Sequence, residues 1–213
     1  MYRYERDPRA IYRESFARIE AEAGPALARL PEPVARLAMR LVHACGMTDI
    51  VGDLAFTPDL PEAARAALTK GAPILCDAAM VSAGIMRRHL PAGVEIVAAL
   101  DQPGVTELAE KIGTTRSAAA IELLGERVEG AVVAIGNAPT ALFRLLELIE
   151  LDGIRPAAIL AFPVGFVGAA ESKEALIGAD LGVPYVTLRG RRGGSGLAAA
   201  AVNALILPKG ESA

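Results

Sequence analysis

From about residue 72 onward the chain alternates short apolar runs with longer stretches of helical period. The runs Pro73–Cys76, Val94–Leu100, Ala131–Ile135, Ala157–Phe162 and Pro184–Leu188 are four to seven residues long and rarely alternate polar with apolar positions. Each leads into a turn containing Gly or Asp and then into a helical stretch. Strands buried on both faces and interleaved with helices predict an α/β fold with a mostly parallel, doubly wound sheet flanked by helices. Residues 8–70 read as helical throughout. Asp7 before Pro8 supplies a cap and a first-turn proline, Pro31 and Pro33 open a second helix, and Pro58 with Asp59 begins a third. The last helix, about Ser195 to Leu207, is nearly all apolar, which predicts burial against the sheet or against a second subunit. No repeat, charge run or linker divides the chain. A single domain over 1–213 is expected, with a helical N-terminal part at about 8–70 and an α/β part at about 71–208.

Composition narrows the function classes. Of 213 residues 53% are hydrophobic and 22% charged, which excludes a disordered chain. A formal net charge of −3 argues against a nucleic-acid footprint, and 4% aromatics without Trp leave little to stack bases on. No run of 18 residues lacks a charge or a Pro/Gly break, so no membrane span is expected. Cys45 and Cys76 make neither a disulfide framework nor a metal-ligand spacing. The opening MYRYERDPRA lacks the apolar stretch of a signal peptide, and a cytoplasmic location is expected.

In a parallel sheet every strand-to-helix turn lies on one edge, and ligands bind there. The turns in question are CDAAMVSAG (76–84), LDQPGVT (100–106), IGNAPT (135–140), FPVGFVGAAESKE (162–174) and LRGRRGGSG (188–196). Asp77 reads as a cap for the helix that follows it or as a site residue. In GTTRSAAA (113–120), Arg116 stands in the first turn of an Ala-rich helix, where the dipole is already positive. An arginine placed there suits an incoming anion. Asn137 can cap a helix beginning near Pro139, and the free N–H groups beside it can hold an anion. Glu171, Ser172 and Lys173 fall in a first helical turn. Arg189, Arg191 and Arg192 flank a Gly-rich entry to a helix capped by Ser195, where guanidinium groups can grip carboxylates or phosphates.

Two histidines remain. His89, in MRRHLPAG, suits a helix end whose dipole it stabilises. His43 lies in the helix PVARLAMRLVHACG, whose period puts Val34, Leu37, Ala38, Leu41 and Cys45 on one face and Arg36, Arg40 and His43 on the other. One reading is a solvated polar face. The other is a general acid/base whose neutral form is favoured by Arg40 three residues away. No Gly-x-Gly-x-x-Gly follows the first apolar run, GRRGGSG lacks the Lys of a P-loop, and no Gly-x-Ser-x-Gly elbow or His/Asp/Glu metal spacing occurs. Neither a cofactor nor a metal is expected. The inventory describes a site for a polyanionic molecule.

LVHACG (41–46), GAPILCDAAMV (71–81), GTTRSAAA (113–120), VVAIGNAPTALF (132–143), PVGFVGAAESKEAL (163–176) and RGRRGGS (189–195) together resemble the precorrin-8X methylmutase family of cobalamin biosynthesis. The resemblance spans nearly the whole chain in the family's order. It implies a Rossmann-like fold, a homodimer with sites near the subunit interface, and a tetrapyrrole substrate isomerised to hydrogenobyrinic acid by a methyl shift between adjacent ring carbons, formally 1,5-sigmatropic. It places the catalytic histidine on His43 and the substrate-binding positions on Arg40, Arg116, Arg189 and Arg191, with Ser15, Asp77, Thr115 and Asn137 also carried over. Arg192 departs from the apolar residue expected at its position and stays outside that set. The same fold serves a cobalt-containing precorrin, and the HACG context favours the metal-free substrate. Two other readings are a tetrapyrrole handover protein without turnover and a Rossmann-like enzyme for a nucleotide or sugar phosphate. The missing glycine fingerprint argues against the nucleotide reading.

Overall fold

The computed structural model describes residues 2–207. Its centre is a six-stranded sheet: β1 (Leu54–Phe56), β2 (Ile74–Cys76), β3 (Ile96–Ala98), β4 (Val132–Ile135), β5 (Ala158–Ala161) and β6 (Tyr185–Leu188). The spatial order is β1-β6-β5-β4-β2-β3. All neighbours are parallel except β1, which pairs antiparallel with β6, Leu54 opposite Leu188 and Phe56 opposite Val186. The mostly parallel sheet expected from the apolar runs is present, with the Rossmann-like fold that the resemblance implies. Residues 8–70 are not helical throughout, because β1 interrupts them. A three-residue strand whose only partner lies at the far end of the chain carries too little local pattern to be read. The expected strand Val94–Leu100 is shorter than its apolar run, since Ala99–Asp101 turns into a 3-10 helix.

Nine α-helices lie among the described residues: α1 (Pro8–Leu27), α2 (Glu32–Cys45), α3 (Leu60–Thr69), α4 (Ala79–Gly84), α5 (Val105–Ile112), α6 (Arg116–Leu124), α7 (Pro139–Leu151), α8 (Ala169–Gly178) and α9 (Ser195–Ile206). The strands send alternate residues to the two faces, as a pleated backbone must. Ile74, Cys76, Val132, Ala134, Ala158 and Leu160 enter one core with residues of α1–α3 and α9. Leu75, Val133, Ile135, Ile159 and Ala161 enter a second core with residues of α5–α8. That two-sided burial is why the strands show no alternation in sequence.

Asp7 caps α1 as expected, its Oδ1 accepting from the Arg9 N–H at 2.9 Å. On α2 the buried face is Val34, Leu37, Ala38, Leu41 and Val42, while Cys45 sits half-buried at the margin of that core. The apolar α9 is buried against β4 and β5, beneath α2 and α4. Its alanines permit this closeness: a Cβ on Gly136 would lie 2.7 Å from the Ser195 Cα and 2.9 Å from the Ala198 Cβ. Within α9, buried Asn203 donates to the Gly84 carbonyl at 2.9 Å and accepts from the Met86 N–H at 2.8 Å, so the end of α4 is tied to it. No helix among the described residues is long and apolar enough to cross a membrane.

Candidate active site

The chain leaves β2 toward β3 on one side, while β4 lies on the other, so the strand order reverses between β2 and β4. Ligand crevices in open α/β sheets form beyond the strand ends at such a reversal. Asp77 follows β2 directly and is 2% exposed. Its Oδ1 accepts from the Gly136 N–H at 2.8 Å, and its Oδ2 accepts from the Asn137 and Ala138 N–H groups, both at 2.9 Å. The expected cap on its own following helix is therefore corrected, since α4 has no side-chain cap. Asp77 instead fills the N–H cluster before α7, which the sequence offers as an anion site. Burial pushes this carboxyl up, against the downward pull of the three N–H groups. Asn137 does not cap α7, whose N-cap is Ala138, and its side chain is exposed.

The neighbouring turns are stitched to this one. The Val164 N–H donates to the Asn137 carbonyl at 3.3 Å, and the Gly165 N–H to the Arg191 carbonyl at 3.2 Å. Thr115 caps α6 through the Ala118 N–H at 3.2 Å and also bonds Thr140 Oγ1 at 2.8 Å. Thr115, Arg116, Asn137 and the loop bearing Arg191 thus belong to one continuous edge. Arg116 is exposed and makes no ion pair among the described residues. The Arg191 guanidinium lies 5.3 Å from the centre of the Phe166 ring, itself 86% exposed. Arg189 pairs with Glu174 at 2.5 Å on the surface. The N-cap of α9 is Gly194 rather than Ser195, which is the first helical residue.

His43, Ser15 and Arg40 form a second group on α1 and α2. Ser15 Oγ bonds His43 Nδ1 at 2.9 Å, which occupies one ring nitrogen and leaves Nε2 for chemistry. Phe16 stacks on the imidazole with ring centres 4.9 Å apart, and Tyr12 meets it edge-on at 5.6 Å. The Arg40 guanidinium lies 5.4 Å from the Tyr12 ring centre and 5.2 Å from that of Phe16. These two aromatics escaped the sequence reading. Their spacing with Ser15 places all three on one face of α1, but nothing local says that His43 packs there. The imidazole is neither sealed in a core nor stripped of neighbours, and it borders a hollow of about 230 Å³ lined by Ser15, Ile19, Glu22, Val42, Gly46 and Thr48 among others. Partial burial lowers its pKa, and the Arg40 charge lowers it further.

The remaining candidates resolve simply. His89 closes a short 3-10 turn, where its Nε2 accepts from Arg88 Nε at 2.9 Å. The thiol of Cys76 is buried and pushed up to about 12, so it stays protonated and inert.

Known proteins match this chain along nearly its whole length. The family model described as precorrin-8X methylmutase matches residues 10–207. A precorrin-8X methylmutase of Pseudomonas aeruginosa is 57% identical over 96% of this chain and 98% of that protein. One from Sinorhizobium sp is 56% identical over 97% of this chain and 98% of that protein. The solved precorrin-8X methylmutase of Thermus thermophilus superposes with a TM-score of 0.83 at 39% identity, covering 93% of this chain and 94% of the other.

The environment of His43 makes a titration test. With only two histidines in the chain, its ring signal is assignable by NMR through His43→Asn. The midpoint is expected below the ordinary value of about 6.5. Arg40→Gln removes a neighbouring cation, which favours the imidazolium, and is expected to raise it. A midpoint unmoved by that substitution would contradict the assigned cause.

Proposed function

The chain belongs to the precorrin-8X methylmutase family, and from that premise we propose that it isomerises precorrin-8X to hydrogenobyrinic acid, with His43 as the acid/base. The observation that carries this reading is an imidazole half-shielded by two aromatic rings, held at Nδ1 by Ser15 and left open at Nε2. Relatives at 57% and 56% identity bear the metal-free name, which supports precorrin-8X over its cobalt counterpart as substrate. The chain acts as one domain in the cytoplasm.

The substrate carries several carboxylates around an apolar macrocycle. Arg116 and Arg191, on the sheet edge, and Arg40, beside the imidazole, supply charge-assisted hydrogen bonds to them. Arg189 joins them by exchanging Glu174 for a substrate carboxylate. Asn137 and Thr115 lie on the same edge and add neutral hydrogen bonds. Asp77 supports this edge from beneath, with both oxygens committed to backbone. Nε2–H of the imidazolium protonates the macrocycle and alters its conjugation. The methyl group migrates to the adjacent carbon, and Nε2 takes the proton back, so atoms and electrons balance with no net transfer. Arg40 and burial make the imidazolium a stronger acid, while the bound carboxylates keep a fraction of it protonated. Acid–base participation of this kind contributes on the order of 10² to 10⁴ in rate, and fixed orientation supplies the remainder.

His43→Asn keeps a polar hydrogen-bonding side chain but cannot shuttle the proton. It is expected to bind hydrogenobyrinic acid as the unaltered protein does and to turn over precorrin-8X at least about a hundredfold more slowly, followed by the colour change of the pigment. Full turnover in that variant would remove the mechanism. Binding without turnover in the unaltered protein would favour the handover reading.

The hollow beside His43, about 230 Å³, is smaller than the usual range for ligand pockets, and Phe166 and Val167 after β5 and Met80 after β2 are 86%, 88% and 74% exposed. A homodimer that covers these side chains encloses the macrocycle. Light scattering is expected to give twice the chain mass at micromolar concentration, and a monomer that turns over at full rate would contradict the dimeric site.

A further inference from the structure

Between β6 and α9 the loop carries Arg189, Arg191 and Arg192, and the third has its guanidinium held by two carboxylates and its carbonyl by a buried amine. Its Nη1 donates to Asp49 Oδ2 at 2.7 Å and its Nη2 to Asp53 Oδ2 at 2.6 Å. Its backbone carbonyl accepts from Lys173 Nζ at 2.7 Å. Lys173, the fifth residue of α8, is 0% exposed. Asp49 and Asp53 belong to the 3-10 helix Thr48–Asp53, which begins three residues after the end of α2 and its His43. Arg192 therefore spans the two groups of site residues, one around the imidazole and one along the sheet edge.

The backbone on either side is pinned as well. The Arg189 N–H donates to the Asp53 carbonyl at 2.8 Å, and the Gly194 N–H to the Phe162 carbonyl at 2.8 Å. At Gly193 a Cβ would stand 2.4 Å from the Phe162 carbonyl oxygen, so the loop is pressed onto the end of β5. An isolated surface ion pair contributes little. Here, though, one guanidinium grips two carboxylates, and the peptide it belongs to is held from below by a buried amine. Burying an amine is costly, and the hydrogen bond to the Arg192 carbonyl offsets part of that cost. Both terminal nitrogens of Arg192 are engaged by Asp49 and Asp53, and Lys173 has no access to solvent, so both serve contacts within the protein.

We infer that Lys173 and Arg192 are positioning residues, which hold the Arg189–Arg191 loop at a fixed reach from His43 so that the substrate's carboxylates and its reacting carbons are seated together. Lys173 sets the orientation of the peptide, and Arg192 sets the distance between loop and histidine segment. The inference rests on the function proposed above.

The test compares Arg192→Gln, Lys173→Met and Arg192→Lys with the control Arg127→Gln, which removes the surface pair to Glu95. In Arg192→Gln and Lys173→Met, KM for precorrin-8X and Kd for hydrogenobyrinic acid rise about tenfold or more, and the loss falls mainly on KM rather than kcat. Arg192→Lys recovers part of the loss, and Arg127→Gln shows none. Hydrogen exchange on the ligand-free protein gives a readout independent of substrate: amides 189–194 exchange faster in Arg192→Gln. Unchanged KM with unchanged exchange overturns the inference, as does a fall in kcat at constant KM. Should Lys173→Met fail to fold, Arg192→Gln carries the test alone. An unaltered protein that neither binds nor converts the corrinoid refutes the function, while the exchange data still decide whether the loop is held as stated.

Discussion

One buried carboxylate organises the functional edge of this protein. Asp77 stands where the strand order reverses, and both of its oxygens are committed to the three N–H groups that open α7. Leaving even one such donor unpaired in a buried site costs roughly 1–3 kcal/mol. The reversal would otherwise be an open crevice with a positive helix terminus at its base, the usual place for a phosphate. Filling it from within gives up that nucleotide-style site and fixes the turn bearing Asn137. The ligand-binding charge then has to come from side chains on the rim, which is where the exposed arginines stand.

On the proposed function the two groups of site residues divide the chemical labour. The sheet edge offers guanidinium groups from α6 and from the loop after β6, suited to a multiply charged ligand in a protein of net negative charge. The α1–α2 pair offers the imidazole, with Ser15 fixing its orientation and Phe16 and Tyr12 partly removing it from water. Lowering the imidazole's pKa beside Arg40 and supplying anions with the ligand are opposing influences. Burial and Arg40 favour the neutral imidazole, and a bound anion favours the imidazolium. On that reading neither group is sufficient alone, and the distance between them matters as much as the identity of either.

How much of this was legible in the sequence follows from how local each signal is. Strands β2 to β6 announced themselves because a strand buried on both faces is an uninterrupted apolar run. Strand β1 did not, since Leu54–Phe56 becomes a strand only by pairing with β6, more than a hundred residues later. Asp77 was recognisable as a capping residue, but the N–H groups it serves begin 59 residues away, and only the pairing of β2 with β4 brings the two together. His43 and Arg40 could be placed on one face of α2 by period alone, whereas their aromatic neighbours needed the packing of α1. Lys173 looked like an ordinary first-turn lysine, because its burial is made by a loop from elsewhere in the chain. The arginines were legible as candidates, and Arg192 as the one apart, without any hint that Asp49 and Asp53 hold it.

The central claim is that the imidazole and the arginine-bearing edge face a single ligand. A crystal structure with hydrogenobyrinic acid bound tests it most directly. The account predicts His43 Nε2 within about 3–3.5 Å of the macrocycle, close enough for proton transfer, with Arg116 and Arg191 on its carboxylates. A corrinoid seated on the arginines while His43 Nε2 points into water, or bound at another edge of the sheet, would contradict it.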